Sequence, residues 1–138
     1  MRYLGLDLGT KTLGIAISDP NGIIASPLKT LKYNNYDEIL AELKTIIKEK
    51  QIAVIVLGLP KNMNNTIGTR AEETLAFKQR LEADLKMKII LEDERLTSKV
   101  ANDILIDANI SRKQRKKVVD KIAANIILQT YLDRKKGK

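Results

Sequence analysis

The run Ile52-Ala-Val-Ile-Val-Leu57 constrains this chain more than any other segment. An unbroken apolar run of strand length suits a strand covered on both faces, the situation of an inner strand in a parallel sheet. Helical spacing surrounds it. Tyr36, Ile39, Leu40, Leu43, Ile46 and Ile47 precede it, with Asn35 placed to cap their helix. Ala71, Leu75, Phe77 and Leu81 follow it, in a helix expected from Thr69 to about Asp84. Met87 to Leu91 is then another short apolar strand, and helices are expected over Ser98–Asn109 and Lys117–Arg134. The first third has a different period. Tyr3–Leu8 and Leu13–Ser18 are strands joined by a tight connection, and Asp19-Pro-Asn-Gly22 is a turn leading to a third strand, Ile23–Leu31. The order β-β-β-α-β-α-β-α, with an extra short helix before the last, predicts an α/β protein. An antiparallel meander would continue into strand-helix-strand units, giving a mixed five-stranded sheet with helices on both faces. At 138 residues the chain is expected to be a single domain over 1–138, ending in a basic tail from Arg134 to Lys138.

Composition removes several chemistries. The chain contains no Cys and no His. Disulfides, thiol nucleophiles, imidazole bases and Ser-His-Asp triads are therefore excluded. A bound metal must be held by oxygen, which favours a hard ion such as Mg²⁺ or Mn²⁺. No apolar run approaches the ~20 residues that cross a bilayer, and the start of the chain reads as a strand, so a cytoplasmic protein without membrane partners is expected. With 25 basic against 17 acidic residues, the net charge is +8. The excess is clustered: five of the seven residues from Ser111 to Lys117 are basic, and the tail adds four more. Clustered positive charge is the footprint of a nucleic-acid partner.

Three acidic positions stand out. Asp7 interrupts the strand Leu4-Gly-Leu-Asp-Leu8; alternation sends the leucines to one face and Tyr3, Gly5 and Asp7 to the other. The next strand repeats the pattern with Gly14, Ala16 and Ser18, so Asp7 would lie in a depression among small residues. A carboxylate there must be paired, hydrogen-bonded or metal-bound; capping of the Gly9-Thr10 turn would also satisfy it. Glu92-Asp-Glu-Arg95 follows an apolar strand directly, at the strand end where sites form in parallel sheets. It also reads as a solvated charge run. Alternation puts Glu92 and Glu94 on one face and does not choose between them. Asp120 lies early in the last helix with Ala123 and Ala124 on the same side, small enough for close approach to the sheet. By itself it is an ordinary first-turn acid. Together the three would repel one another unless a divalent cation offsets the charge. Such a cation activates water against a phosphodiester without any side-chain base.

The loop Gly58–Gly68 supplies polar groups suited to phosphate, among them Lys61, Asn62 and Thr66, with Arg70 just beyond it. Gly5-Leu-Asp-Leu-Gly-Thr-Lys-Thr12 imitates a P-loop, but its glycine spacing is one short and a strand follows where a helix is required.

These residues resemble the RuvX/YqgF family, pre-16S rRNA nucleases with an RNase H-like, Holliday-resolvase-type fold. The likeness covers nearly the whole chain. It rests on Gly5-Leu-Asp-Leu-Gly-Thr-Lys11, Leu13-Gly-Ile-Ala-Ile-Ser-Asp19, Val56-Leu-Gly-Leu-Pro-Lys-Asn-Met63, Asp93-Glu-Arg-Leu-Thr-Ser98 and Val119-Asp-Lys-Ile-Ala-Ala124 with Ile127–Leu132. Asn64-Asn65 stand where the family usually has Asp-Gly, and Thr12 where Arg or Ser is common. The resemblance implies a catalytic and metal-binding triad of Asp7, Glu94 and Asp120, holding Mg²⁺ or Mn²⁺. It selects Glu94 over Glu92. It maps the family's Thr-Lys loop onto Thr10 and Lys11 and its basic loop position onto Arg70; with Lys61 and Asn62 of the polar loop, Lys11 and Arg70 are expected to contact phosphate. The basic residues Arg112, Lys113, Arg115 and Lys116 are expected to bind the strand outside the site. The expected activity is hydrolysis of structured RNA at the 5′ end of pre-16S rRNA, in ribosome biogenesis. Two other readings stay open: a resolvase of branched DNA, which would need a symmetric homodimer, and a non-catalytic RNA-binding factor.

Overall fold

A computed structural model of the chain describes residues 1–60, 68–93 and 112–136, with no side-chain description for 112–121 and 136. Five strands, β1 (Arg2–Leu8), β2 (Thr12–Ser18), β3 (Ala25–Lys32), β4 (Ile52–Leu59) and β5 (Lys88–Asp93), form one sheet in the order β3-β2-β1-β4-β5. β1 pairs antiparallel with β2 and β2 with β3, whereas β4 runs parallel to both β1 and β5. The expected mixed five-stranded sheet is therefore present, with β1 at its centre.

Helices lie on both faces. α1 (Tyr36–Lys50) and α2 (Thr69–Leu85) cover one. Their Ile39, Leu40, Leu43, Ile46, Phe77 and Leu81 pack on Leu4, Leu6, Leu8, Leu13, Ile15, Ile55 and Leu57 of the sheet. α3 (Arg112–Lys136) covers the other, where Ala124, Ile127, Leu128 and Leu132 meet Tyr3, Ala16, Val54 and Val56. Asn35 caps α1 as its sequence predicts: its side chain accepts from the Glu38 N–H at 3.1 Å, while Glu38 accepts from the Asn34 N–H at 3.2 Å. That reciprocal bonding satisfies two donors at the helix entrance.

Some boundaries differ from expectation, each for a local reason. β3 begins at Ala25 rather than Ile23. The Asp19 carboxylate captures the backbone N–H groups of Ile23 at 2.7 Å and Ile24 at 2.8 Å, so these residues belong to the turn. The same bonds hold the Asp19 carboxyl below its ordinary pKa. β5 runs on through Glu92 and Asp93, paired to Gly58 and Leu59 of β4. α3 starts at Arg112, so the basic cluster forms its first turns, and Arg134–Lys136 of the basic tail continue it. The helix expected over 98–109 lies outside the described residues.

Candidate active site

Asp7 sits at the carboxyl end of the central strand, half-buried, directly opposite Gly14 of β2. On its other flank the registers align Leu6, Leu57 and Leu91 across β1, β4 and β5. One step along the three parallel strands, Asp7, Gly58 and Glu92 therefore form the next row. The Asp7 position thus lies between two glycines, neither of which brings a side chain into the row.

The same face receives α3. Tyr131 packs on Tyr3 with ring centroids 5.8 Å apart. Further along, a Cβ placed on Gly5 would lie 2.7 Å from Leu128 Cβ and 3.0 Å from the Ala124 carbonyl oxygen. Gly5 is what permits this approach, and Ala123 and Ala124, both buried, are the small residues on the helix side. From Tyr131 to Ala124 the helix travels against the direction of β1, toward its Asp7 end. Position 120 lies one turn beyond Ala124 in that direction. The four basic positions Arg112, Lys113, Arg115 and Lys116 occupy the first turns of the same helix, with no acidic residue among them. Cations there add to the positive end of the helix dipole instead of balancing it.

Two other expected phosphate contacts are fixed near Asp7. Arg70, in the first turn of α2, donates through Nη2 to the Leu8 carbonyl at 2.8 Å, spanning 62 positions to grip the end of β1. Lys11 occupies the exposed two-residue turn between β1 and β2, closed by the Gly9 N–H donating to the Thr12 carbonyl at 2.7 Å. Lys61, Asn62 and Glu94 lie outside the described residues. β5 ends at Asp93, one residue before Glu94, level with Leu59 of β4.

Glu92 has a different occupation. Its side chain is 3% exposed, and both its oxygens accept from Arg134, at 2.6 Å from Nη1 and 2.5 Å from Nη2. This bidentate pair neutralises a buried carboxylate and directs it to α3. The ambiguity between Glu92 and Glu94 on one strand face is thereby narrowed: Glu92 is committed to an arginine. No sequence signal announces this pair, because Arg134 lies 42 positions away where the last expected helix meets the basic tail. The Tyr33 hydroxyl, donating to the Gly9 carbonyl at 2.6 Å, was equally unannounced.

The donor chemistry suits a hard divalent cation. Only oxygen ligands exist in a chain without His or Cys, and Asp7 is flanked by glycine, Gly14, on the neighbouring strand. Among the described residues no helix is long and apolar enough to cross a membrane.

Comparison with known proteins agrees with this architecture. The family model described as RuvX, Holliday junction resolvase, matches residues 1–134. A Bacillus subtilis protein is 51% identical over 135 residues, covering 96% of this chain and 98% of its own length. A Clostridium kluyveri protein is 49% identical over 134 residues, covering 97% and 98%. Both carry the name "Putative pre-16S rRNA nuclease". Among solved structures, Thermus thermophilus RuvC in complex with a Holliday junction substrate superposes with a TM-score of 0.59 over 99% of this chain and 97% of that one. Its sequence is 13% identical, so it establishes the RNase H-like fold alone. With a family match spanning all but the last four residues and relatives at about half identity, the chain belongs to the RuvX family.

Proposed function

We propose that this protein is a metal-dependent nuclease that hydrolyses phosphodiester bonds of structured RNA, with the 5′ end of pre-16S rRNA as its substrate in ribosome biogenesis. The observation that carries the reading is Asp7, set between Gly14 and Gly58 at the carboxyl end of the central strand, with α3 bearing Asp120 directed toward it. Asp7, Glu94 and Asp120 would hold Mg²⁺ or Mn²⁺. When bound, the ion supplies Lewis-acid activation of water and offsets charge on the phosphate. Lys11, Lys61, Asn62 and Arg70 orient the sugar-phosphate backbone. Arg70 has four further N–H donors besides the one on Leu8. Arg112, Lys113, Arg115 and Lys116 hold the strand beyond the site through long-range attraction to phosphates. In this reading residues 1–138 act as one domain in the cytoplasm, and the tail from Arg134 to Lys138 adds to the positive field.

The names of the 49–51% identical relatives support RNA as substrate. The family description supports a second reading, a resolvase of branched DNA acting as a homodimer. Cleavage of an RNA carrying the 5′ end of pre-16S rRNA, set against a four-way DNA junction, separates them. RNA cleavage that is lost in chelator, restored by Mn²⁺ or Mg²⁺ and absent from Asp7→Asn is the expected result. Preferential junction cleavage would transfer the assignment to the second reading. Equal activity of Asp7→Asn and parent would remove the catalytic assignment.

A further inference from the structure

An open cavity of about 490 Å³ lies beside the β1–β2 turn, lined by Lys11, Thr12, Lys32, Tyr33 and Asn34. Its position follows from the registers. Thr12 pairs with Lys32, and Gly14, two residues along β2, pairs with Asp7. Two residues of strand span roughly 7 Å. Alternation also places Thr12 on the same face as Gly14 and Asp7. The cavity therefore lies at the rim of the sheet on its β3 side, beyond the Asp7 row: Thr12 belongs to the Asp7 face, whereas Tyr33 packs with the α1–α2 core.

Its wall is rigid. The Tyr33 N–H donates to the Lys11 carbonyl at 3.0 Å, and the Tyr33 hydroxyl donates to the Gly9 carbonyl at 2.6 Å. Behind it, the Tyr33 ring contacts Tyr36 at 5.9 Å, and Tyr36 contacts the fully buried Phe77 at 5.0 Å. The tyrosine thus links both ends of the Thr10–Lys11 turn to the hydrophobic core. Burial, with the nearby Tyr36 and Glu73 and against the pull of Arg70, pushes its phenol above the ordinary value, so it remains a donor. The nearby Glu38 carboxylate accepts from the Asn34 N–H at 3.2 Å and from no lysine of the lining.

The charge of the lining is one-sided. Two lysines and no acid border the cavity, and both lysines are exposed. Among the described residues neither lysine has an acidic partner, whereas Lys29, three positions earlier on the same strand, pairs with Glu42 at 3.6 Å. Lysine stems and an aromatic ring supply apolar wall beneath the amines. Asn34 supplies both a donor and an acceptor. Volume, cations and an aromatic wall together match one nucleotide.

We propose that this cavity is a subsite for a nucleotide of the bound strand next to the one cut at Asp7, with its phosphate between Lys11 and Lys32 and its base against Tyr33 and Asn34. The proposal rests on the nuclease reading for its position in the reaction, but binding can be measured without cleavage. Asp7→Asn protein is titrated into a fluorescent single-stranded RNA of about 12 nucleotides, alone and combined with Lys32→Glu. Lys44→Glu, an exposed reversal on the outer side of α1, is the control for net charge. Lys32→Glu is expected to weaken binding about tenfold and to flatten the salt dependence by roughly one phosphate contact, while Lys44→Glu changes either by less than twofold. In the cleavage-competent protein, Lys32→Glu is expected to raise KM and leave kcat near the parent value. A melting temperature within a few degrees of the parent shows that the edge strand is intact. Equal weakening by Lys32→Glu and Lys44→Glu, or none by Lys32→Glu, would overturn the subsite. A parent protein that binds through Lys32 yet cleaves neither RNA nor DNA would leave the subsite standing and remove the nuclease reading.

Discussion

The two faces of the sheet are built from the same strands to opposite ends. Toward α1 and α2, β1 presents Leu4, Leu6 and Leu8, and β2 presents Leu13 and Ile15, closed over by Phe77, Leu81 and the aliphatic face of α1. Toward α3, the same strands present Tyr3, Gly5 and Asp7, then Gly14, Ala16 and Ser18. The first face is hydrocarbon from end to end. The second is hydrocarbon only at the amino end of β1, and toward its carboxyl end it becomes glycine and carboxylate. Alternation along a strand lets one six-residue segment stabilise the fold on one side and carry the carboxylate proposed for catalysis on the other. A slip of one residue would exchange the two.

If that division holds, damage to the first face should cost stability and spare chemistry in the molecules that remain folded. Phe77→Ala removes a fully buried ring and is expected to cost about 3–5 kcal/mol in urea unfolding. Cleavage per folded molecule should stay within a fewfold of the parent. Asp7→Asn should do the reverse. Loss of an acid proposed to hold the ion is expected to reduce cleavage about 100-fold or more, equivalent to about 2.7 kcal/mol of barrier, with little change in the unfolding midpoint.

Gly5→Ala tests the border between the hydrocarbon and carboxylate halves of the second face. The new methyl would meet Leu128 Cβ at 2.7 Å and the Ala124 carbonyl oxygen at 3.0 Å, and a backbone oxygen cannot turn away. Overpacking of this kind costs about 1–3 kcal/mol. Because α3 must move outward, position 120 moves with it. Stability and cleavage should therefore fall together, unlike in either variant above. A Gly5→Ala protein destabilised but fully active would show that the helix does not position the site.

The faces differ also in how far the amino-acid sequence reveals them. The sheet was legible because the period changes from two to 3.6 where strands give way to helices, and because Ile52–Leu57 has no polar side to offer water. The limits of β3 were not, since Asp19 binds N–H groups four and five positions away and keeps Ile23 and Ile24 from the ladder. The start of α3 was hidden for another reason. Arg112–Lys117 has good helix formers but no apolar period, so it read as a charged segment. Asp7 stood out because a carboxylate in a leucine strand is a local conflict. Glu94 and Asp120 present no such conflict: the strand-end acidic run and the first-turn acid beside Ala123 and Ala124 drew notice only weakly, and resemblance to a family chose Glu94 over Glu92 and grouped the three. The grip of Arg70 on Leu8 and of Arg134 on Glu92 joins positions 62 and 42 apart, and local pattern carries no trace of either.

The Glu92–Arg134 pair gives the smallest expected effect and the sharpest test of what belongs to the chemical half of the second face. Glu92 lies in the same row as Asp7, with only Gly58 between them, at roughly 10 Å along the backbone. Were it a ligand, Glu92→Gln would match Asp7→Asn. Its two oxygens are instead held by a guanidinium, so Glu92→Gln should keep cleavage within about tenfold of the parent, a barrier change under about 1.4 kcal/mol, while Glu94→Gln loses it. Arg134→Met leaves the buried carboxylate without its partner. Because the Arg134 side chain is 55% exposed and water can take its place, the expected cost is about 1–2 kcal/mol rather than that of a fully enclosed pair. The double variant should recover about half of that cost, since no buried charge is left behind. Strict additivity of the two single variants would mean that the pair contributes nothing as a pair, and cleavage lost in Glu92→Gln would return Glu92 to the cation's ligands.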